Sequence, residues 1–336
     1  MKKEIKIYFT DFWKTFKIKD NFFYNLLKEH YNIVISRDKP DYLFFSVFGN
    51  KFEEYNCTRI MFTGENVKPD LSKCDYAFCF SLPKGNNRIY RLPQYYQYGD
   101  MSKLTEKPNY DEILVEKTKF CNFIYSNPSC KKRNEFFKKL SKYKKVDSAG
   151  KFLNNIGSYL PEGHLAKREF LSPYKFTIAF ENEECPFYTS EKIFEAMYVN
   201  SLPIYWGNPL IHLDFDSRSF LNWYDYGNDE ALIERIIELD KDDQKYMEML
   251  QEPYFHNNTI NDYVDVGNLL LQFELIFNNH IEPVSLQSPA FSGNTLNKKS
   301  YLFKARLKYK FREYAQKVKR LSYQRVKMKI KRELNS

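Results

Sequence analysis

Four glutamates and one lysine crowd a single junction in this sequence. In "AFENEECPFYTSEKIFEAMYVNSLPIYWGNP", residues 179 to 209, Glu181, Glu183, Glu184 and Glu191 lie close to Lys192. The ends of the stretch read as buried strands, and its middle as a helix starting near Thr189 or Ser190. Such a start exposes backbone N–H groups without intrahelical partners, and either hydroxyl can cap it. It also carries about half a positive charge from the helix dipole. Lys192 in the first turn adds a full charge, so the junction suits a diphosphate. The carboxylates point elsewhere, because a carboxylate repels a neighbouring phosphate. It helps only where it accepts hydrogen bonds from hydroxyls, as on a ribose or a sugar. Glu191 beside Lys192 therefore favours a sugar nucleotide over a bare phosphate. An acid in the first turn also suits any helix N-terminus, and the residues alone leave both readings open.

The elements around this junction alternate. "IKIYFT", "IVIS", "DYLFFSVF", "RIMFTG", "DYAFCFS" and "RIYRLPQY" read as strands, with "NFFYNLLKEHY" as a helix after the first. Runs that are apolar on both faces are typical of parallel sheets. The polar stretch "GDMSKLTEKPNYDEILVEK" lacks periodicity and reads as a linker. A second alternation follows: strand "CNFIYSN", helix "KKRNEFFKKLSKY", strand "KVDSAG", and "EFLSPYKFTIAFEN" leading into a buried strand. Helix "SEKIFEAMYVN" is closed by Asn200 and Pro203, and strand "LPIYWG" comes next. "DEALIERIIELDKDDQKYMEML" reads as a long amphipathic helical region, and "YVDVGNLLLQFELIFNN" as a further helix. The expected fold is α/β, with two Rossmann-like, doubly wound domains facing across a cleft over residues 1–115 and 116–282. A linker is expected over 283–297. Residues 298–336 are expected to form a basic amphipathic helical tail, with Phe303, Leu307, Phe311, Tyr314, Val318 and Leu321 on one face.

Charge divides the chain in the same place. Residues 298–336 hold fifteen Lys or Arg and two Glu, a balance of +13 against +9 for the chain, so the remaining residues sum to −4. A mildly acidic body argues against a nucleic-acid groove, and no nucleic-acid partner is expected. A basic amphipathic tail suits an anionic inner-membrane surface; docking on its own protein or on another subunit is the alternative. No apolar stretch is long enough to span a bilayer and no export signal is visible. The six cysteines, at 57, 74, 79, 121, 130 and 185, form no CxxC pair. A cytoplasmic protein with free thiols, peripheral on the inner membrane, is the expectation. No metal motif or histidine cluster stands out, so no obligate metal is expected and a divalent ion is at most stimulatory.

The junction residues carry a resemblance. "YKFTIAFENEECPFYTSEKIFEAMYVNSLPIYWGNP" is similar to the signature segment of glycosyltransferase family 10, the α-1,3/4-fucosyltransferases, through Phe180, Glu181, Asn182, Tyr188, Ser190, Glu191, Lys192, Pro203 and Gly207. Bacterial members acting on lipopolysaccharide look closest. "RIMFTGEN", "SNPSCKKRNEFFKKL" and "VDSAGKFLNNIG" resemble further family segments, and "FTDFW" resembles an acceptor-site motif. The resemblance implies the GT-B fold and inverting transfer of L-fucose from GDP-β-L-fucose to the 3-hydroxyl, or the 4-hydroxyl, of GlcNAc in a glycan. It implies Glu65 as the catalytic base, and Arg133 and Lys192 as the cations that meet the departing diphosphate. Asn182, Tyr188 and Glu191 would bind the donor, and Phe12 and Trp13 the acceptor. Bacterial relatives often carry heptad repeats before the tail; none is visible here, which puts dimerisation through them in doubt. Transfer from another GDP-sugar, or an inactive carbohydrate-binding relative, are the alternatives. A glycosidase fits less well, since it needs two facing acids and no diphosphate grip.

Overall fold

The computed structural model describes residues 2–161, 163–279 and 282–286. The first half runs β1 (Glu4–Thr10), α1 (Phe22–His30), β2 (Asn32–Ile35), β3 (Tyr42–Phe45), β4 (Thr58–Phe62), β5 (Tyr76–Cys79) and β6 (Ile89–Arg91). After α2 (Tyr110–Glu116) come β7 (Lys119–Phe123), α3 (Lys131–Leu140), β8 (Val146–Ser148), α4 (His164–Leu171), β9 (Tyr174–Phe180), α5 (Glu191–Tyr198) and β10 (Leu202–Trp206). Strand β11 (Leu221–Asn222) and helices α6 (Trp223–Tyr226), α7 (Asp229–Lys241), α8 (Asp243–Leu250) and α9 (Val266–Asn278) follow.

The first sheet has the order β2-β1-β3-β4-β5-β6 and the second β11-β10-β9-β7-β8. Every pairing in both is parallel. Strands β3, β5 and β10 are largely apolar on both faces because each is covered on both, and β9 is buried along all but Lys175. Both orders reverse at a switch point, between β1 and β3 in one sheet and between β7 and β9 in the other. Ligands of open α/β sheets bind in the crevice that such a reversal leaves at the C-terminal strand ends.

Several local expectations need correction. The stretch assigned as a linker holds α2, capped by the Asn109 side chain. Helix α4 was not anticipated. The long helical region after residue 229 is two helices, because Asp242 leaves helical geometry (φ −125°, ψ 93°) and caps α8. Chain order groups α9 with the second half, yet it packs on the first sheet: the Phe273 ring lies 6.1 Å from Phe23, 6.0 Å from Phe44 and 4.9 Å from Phe78. The start of the supposed linker docks nearby, where the Val284 amide donates to Asp75 (2.8 Å). The rest of that linker and the tail at 298–336 lie outside the described residues.

Candidate active site

The glutamate that ends β9 organises the junction. Glu181 is fully buried and accepts from the Ser190 amide (2.8 Å), the Ser190 hydroxyl (2.6 Å) and Lys192 Nζ (3.3 Å). It reaches them because residue 207 is glycine: a Cβ there would lie 2.3 Å from Glu181 Cγ, and φ is +149°. Neither hydroxyl expected to cap α5 does so. Ser190 donates to Glu181, and Thr189 donates to Asp214 (2.8 Å). With a carboxylate already at this amide, less of the helix terminus is open to a phosphate, and side-chain cations must meet more of the charge.

Lys192 is that cation. Its ammonium group also donates to Ser190 Oγ (2.8 Å) and Glu191 Oε1 (3.4 Å). Burial opposes its charge, but Glu191 and Glu181 outweigh burial and hold its pKa well above the ordinary lysine value. Burial would likewise push the Glu191 carboxyl up. Lys192 and Lys167 outweigh it and hold the carboxyl down at about 2. Glu191 is therefore an anion, able to accept hydrogen bonds and unable to give a proton near neutral pH.

Arg133, in the first turn of α3, is wholly buried. It stacks on the Tyr125 ring at 3.7 Å and donates to Asn182 Oδ1 (2.8 Å) and the Asn127 carbonyl (2.8 Å). Its Nε has no hydrogen-bond partner. Asn182 is exposed and covers it, so a ligand reaching this guanidinium must displace Asn182 or bind through it. The second-sheet switch point thus collects Arg133, Asn182, Glu191 and Lys192, with the Tyr125 hydroxyl in the field of both cations.

The first sheet holds a cavity of about 530 Å³ at its own strand ends, lined among others by Phe12, Trp13, Glu65, Tyr98 and His164. Phe12 stacks on Phe16 at 4.0 Å, and Trp13, 40% exposed, stands edge-on to Phe12 at 5.7 Å. Glu65 follows β4 in an exposed bend, its amide held by Thr63 Oγ1 (3.0 Å). An aromatic cavity lined by two carboxylates, Glu65 and Asp20, is suited to a sugar ring and its hydroxyls.

The two sites adjoin. Asn66, next to Glu65, donates to Glu183 Oε1 (2.6 Å), and Cys185 Sγ donates to Asn66 Oδ1 (3.2 Å). The buried Tyr188 hydroxyl joins them electrostatically. Burial raises its pKa first, then Glu181, with Lys192 opposing and Glu65 and Glu191 adding to the rise. Behind Tyr188 lies a buried ion pair between the halves, Arg91 with Asp214 (2.7 Å), and Asp214 accepts from Thr189. Sequence reading missed this pair because its members are 123 residues apart. It also missed Glu195, buried one turn beyond Glu191. Their spacing of four, which puts both on one helix face, was the available signal; Lys167, which meets both carboxylates, lies on another helix. Among the described residues no group of His, Cys, Asp or Glu is arranged to hold a metal ion. No described helix is long and apolar enough to cross a membrane.

Residues 7–98 match the family model described as the α-(1,3)-fucosyltransferase FucT N-terminal domain, and residues 114–261 match glycosyltransferase family 10 (fucosyltransferase) C-term. The chain belongs to glycosyltransferase family 10. Among family relatives, it is 31% identical over 290 residues to the α-(1,3)-fucosyltransferase FucT of Helicobacter pylori, covering 74% of this chain and 60% of that protein. It therefore spans less than two thirds of that relative's length. A crystal structure of an α1,3-fucosyltransferase with GDP-fucose superposes with a TM-score of 0.69 at 27% identity, over 84% of this chain and 94% of that one. Another α1,3-fucosyltransferase crystal structure gives 0.73 at 26% identity, over 86% and 94%. The two facing parallel sheets are the GT-B fold of these family 10 structures.

Proposed function

We propose that this protein transfers L-fucose from GDP-β-L-fucose to a hydroxyl of GlcNAc in a glycan, the 3-hydroxyl in preference to the 4-hydroxyl, with inversion at the anomeric carbon. One observation carries the reading: an aromatic cavity with Glu65 at its edge adjoins, through Asn66 and Tyr188, a buried cluster built around Lys192. Glu65 takes the proton of the acceptor hydroxyl as its oxygen bonds to the anomeric carbon. The bond from that carbon to the phosphate oxygen breaks, and its electron pair leaves with GDP. Lys192, and Arg133 once Asn182 yields, oppose the charge gathering on the diphosphate. Glu191 accepts from fucose hydroxyls, and Tyr188 and Asn182 line the donor. These cations supply the stabilisation a metal would otherwise give, so no obligate metal is part of the reading. The basic amphipathic pattern of 298–336 supports docking on the anionic cytoplasmic face of the inner membrane, near a lipopolysaccharide-type acceptor.

The test is incubation with GDP-fucose and a panel of GlcNAc-containing disaccharides, with the new linkage read by NMR. Transfer to a GlcNAc hydroxyl with an α-linked product is expected. Hydrolysis alone, or use of a different GDP-sugar, overturns the proposal.

A further inference from the structure

The first-half cavity has one wall from elsewhere. Among the described residues lining it, His164 alone comes from the second half, at the first position of α4. Two contacts fix its ring. Nδ1 lies 3.0 Å from Glu195 Oε1, and the ring stands edge-on to Tyr98 at 4.6 Å and 84°. Glu195 is fully buried, and its other carboxylate oxygen meets Lys167. A carboxylate accepts only, so Nδ1 carries the hydrogen and the remaining ring nitrogen, Nε2, is left for another partner. Among the described residues Nε2 has none, and the side chain is 54% exposed. A ring anchored through one nitrogen at the wall of an aromatic cavity, with the other nitrogen unpartnered, can offer that nitrogen to a ligand.

We propose that His164 is an acceptor-recognition residue, its Nε2 bonding a hydroxyl or acetamido group of the sugar held over Phe12 and Trp13. Its anchor gives the contact a second consequence. Glu195 sits one turn beyond Glu191 and Lys192 on α5, and Lys167 spans Glu191 (3.9 Å) and Glu195. The acceptor would thus touch, through one imidazole, the helix that carries the donor-side charges. This inference rests on the fucosyl-transfer reading and deepens it.

The experiment compares wild type, His164→Ala and His164→Gln with GDP-fucose and N-acetyllactosamine. Loss of one well-placed hydrogen bond should raise the disaccharide KM about tenfold in the alanine variant. The KM for GDP-fucose and the slow hydrolysis of GDP-fucose without acceptor should stay within about twofold of wild type. Glutamine, whose amide reaches toward the Nε2 position, should recover part of the loss, which a purely structural role for the ring would not allow. If wild type transfers fucose but the disaccharide KM is unchanged in His164→Ala, or rises equally with that of GDP-fucose, the His164 inference alone falls. If wild type transfers nothing to the disaccharide, the transferase reading and this inference fall together.

Discussion

The two halves solve different problems with similar sheets. At the second sheet's strand ends the principal charges already have partners: Lys192 with Glu181 and Glu191, Lys167 with Glu195, and Arg133 with Asn182. At the first sheet's strand ends the cavity is aromatic, and Glu65 stands at its rim. A buried charge network is costly to leave half-made, so it holds one geometry. An aromatic floor tolerates ligands of differing outline. The contrast teaches that the second sheet's strand ends are built to hold one arrangement of charge, whereas the first sheet's are built to admit varied shapes.

Breaking the rigid side should have the largest effect. Lys192→Met leaves Glu181 buried against Glu191 without its cation, which should cost roughly 3–5 kcal/mol of stability in a denaturant titration. Adding Glu181→Gln to that variant should return part of it; no recovery would mean that the pairing is not what holds the junction. On the accepting side, Glu65→Gln should leave GDP binding and melting unchanged while turnover drops at least about a hundredfold. Near-normal turnover would remove Glu65 from the chemistry. The charge network also predicts an acid limit. The folded Glu191 carboxyl titrates at about 2, below the unfolded value of about 4.3. Its contribution is therefore complete above pH about 4.3 and disappears as pH falls through about 2, on the order of 3 kcal/mol in all. Glu191→Gln should flatten the stability profile in that acid window and leave it unchanged around neutral pH. The smallest effect is expected from Trp13→Ala. Losing one face of the aromatic floor should weaken the acceptor by about 1 kcal/mol, near fivefold in KM, with GDP-fucose unaffected. A parallel loss of donor affinity would erase the division between the sides.

Legibility in the sequence followed distance along the chain. Glu181, Glu191 and Lys192 lie within eleven positions of one another, so the strand, the helix and the crowding of charge between them could be read from one segment. The central strands of both sheets were legible as apolar runs, such as β3, β5 and β10, whereas the two-residue β11 was not anticipated. The site's remaining members were hidden by separation. Arg91 and Asp214 are remote from each other, and nothing local marks either as buried. His164 opens an eight-residue helix, "HLAKREFL", whose apolar positions are too few to show a period. The opposite error occurred at Asp242, where two helices share one amphipathic rhythm and only the cap separates them. The cap of α5 was misassigned for a related reason. Ser190 has the expected type, but Glu181, nine residues earlier, takes both its amide and its hydroxyl, so the hydroxyl is turned away from the helix amides it would cap.

The return of α9 to the first sheet constrains how the polypeptide can be made. The β-strands of that sheet leave the ribosome early, yet the face formed by Phe23, Phe44 and Phe78 stays uncovered until Phe273 has been synthesised. The portion in between can collapse around its own core first, so the domain translated second is free to mature before its predecessor. Any nascent chain stopped short of residue 266 would carry a bare phenylalanine surface and invite chaperone capture or aggregation.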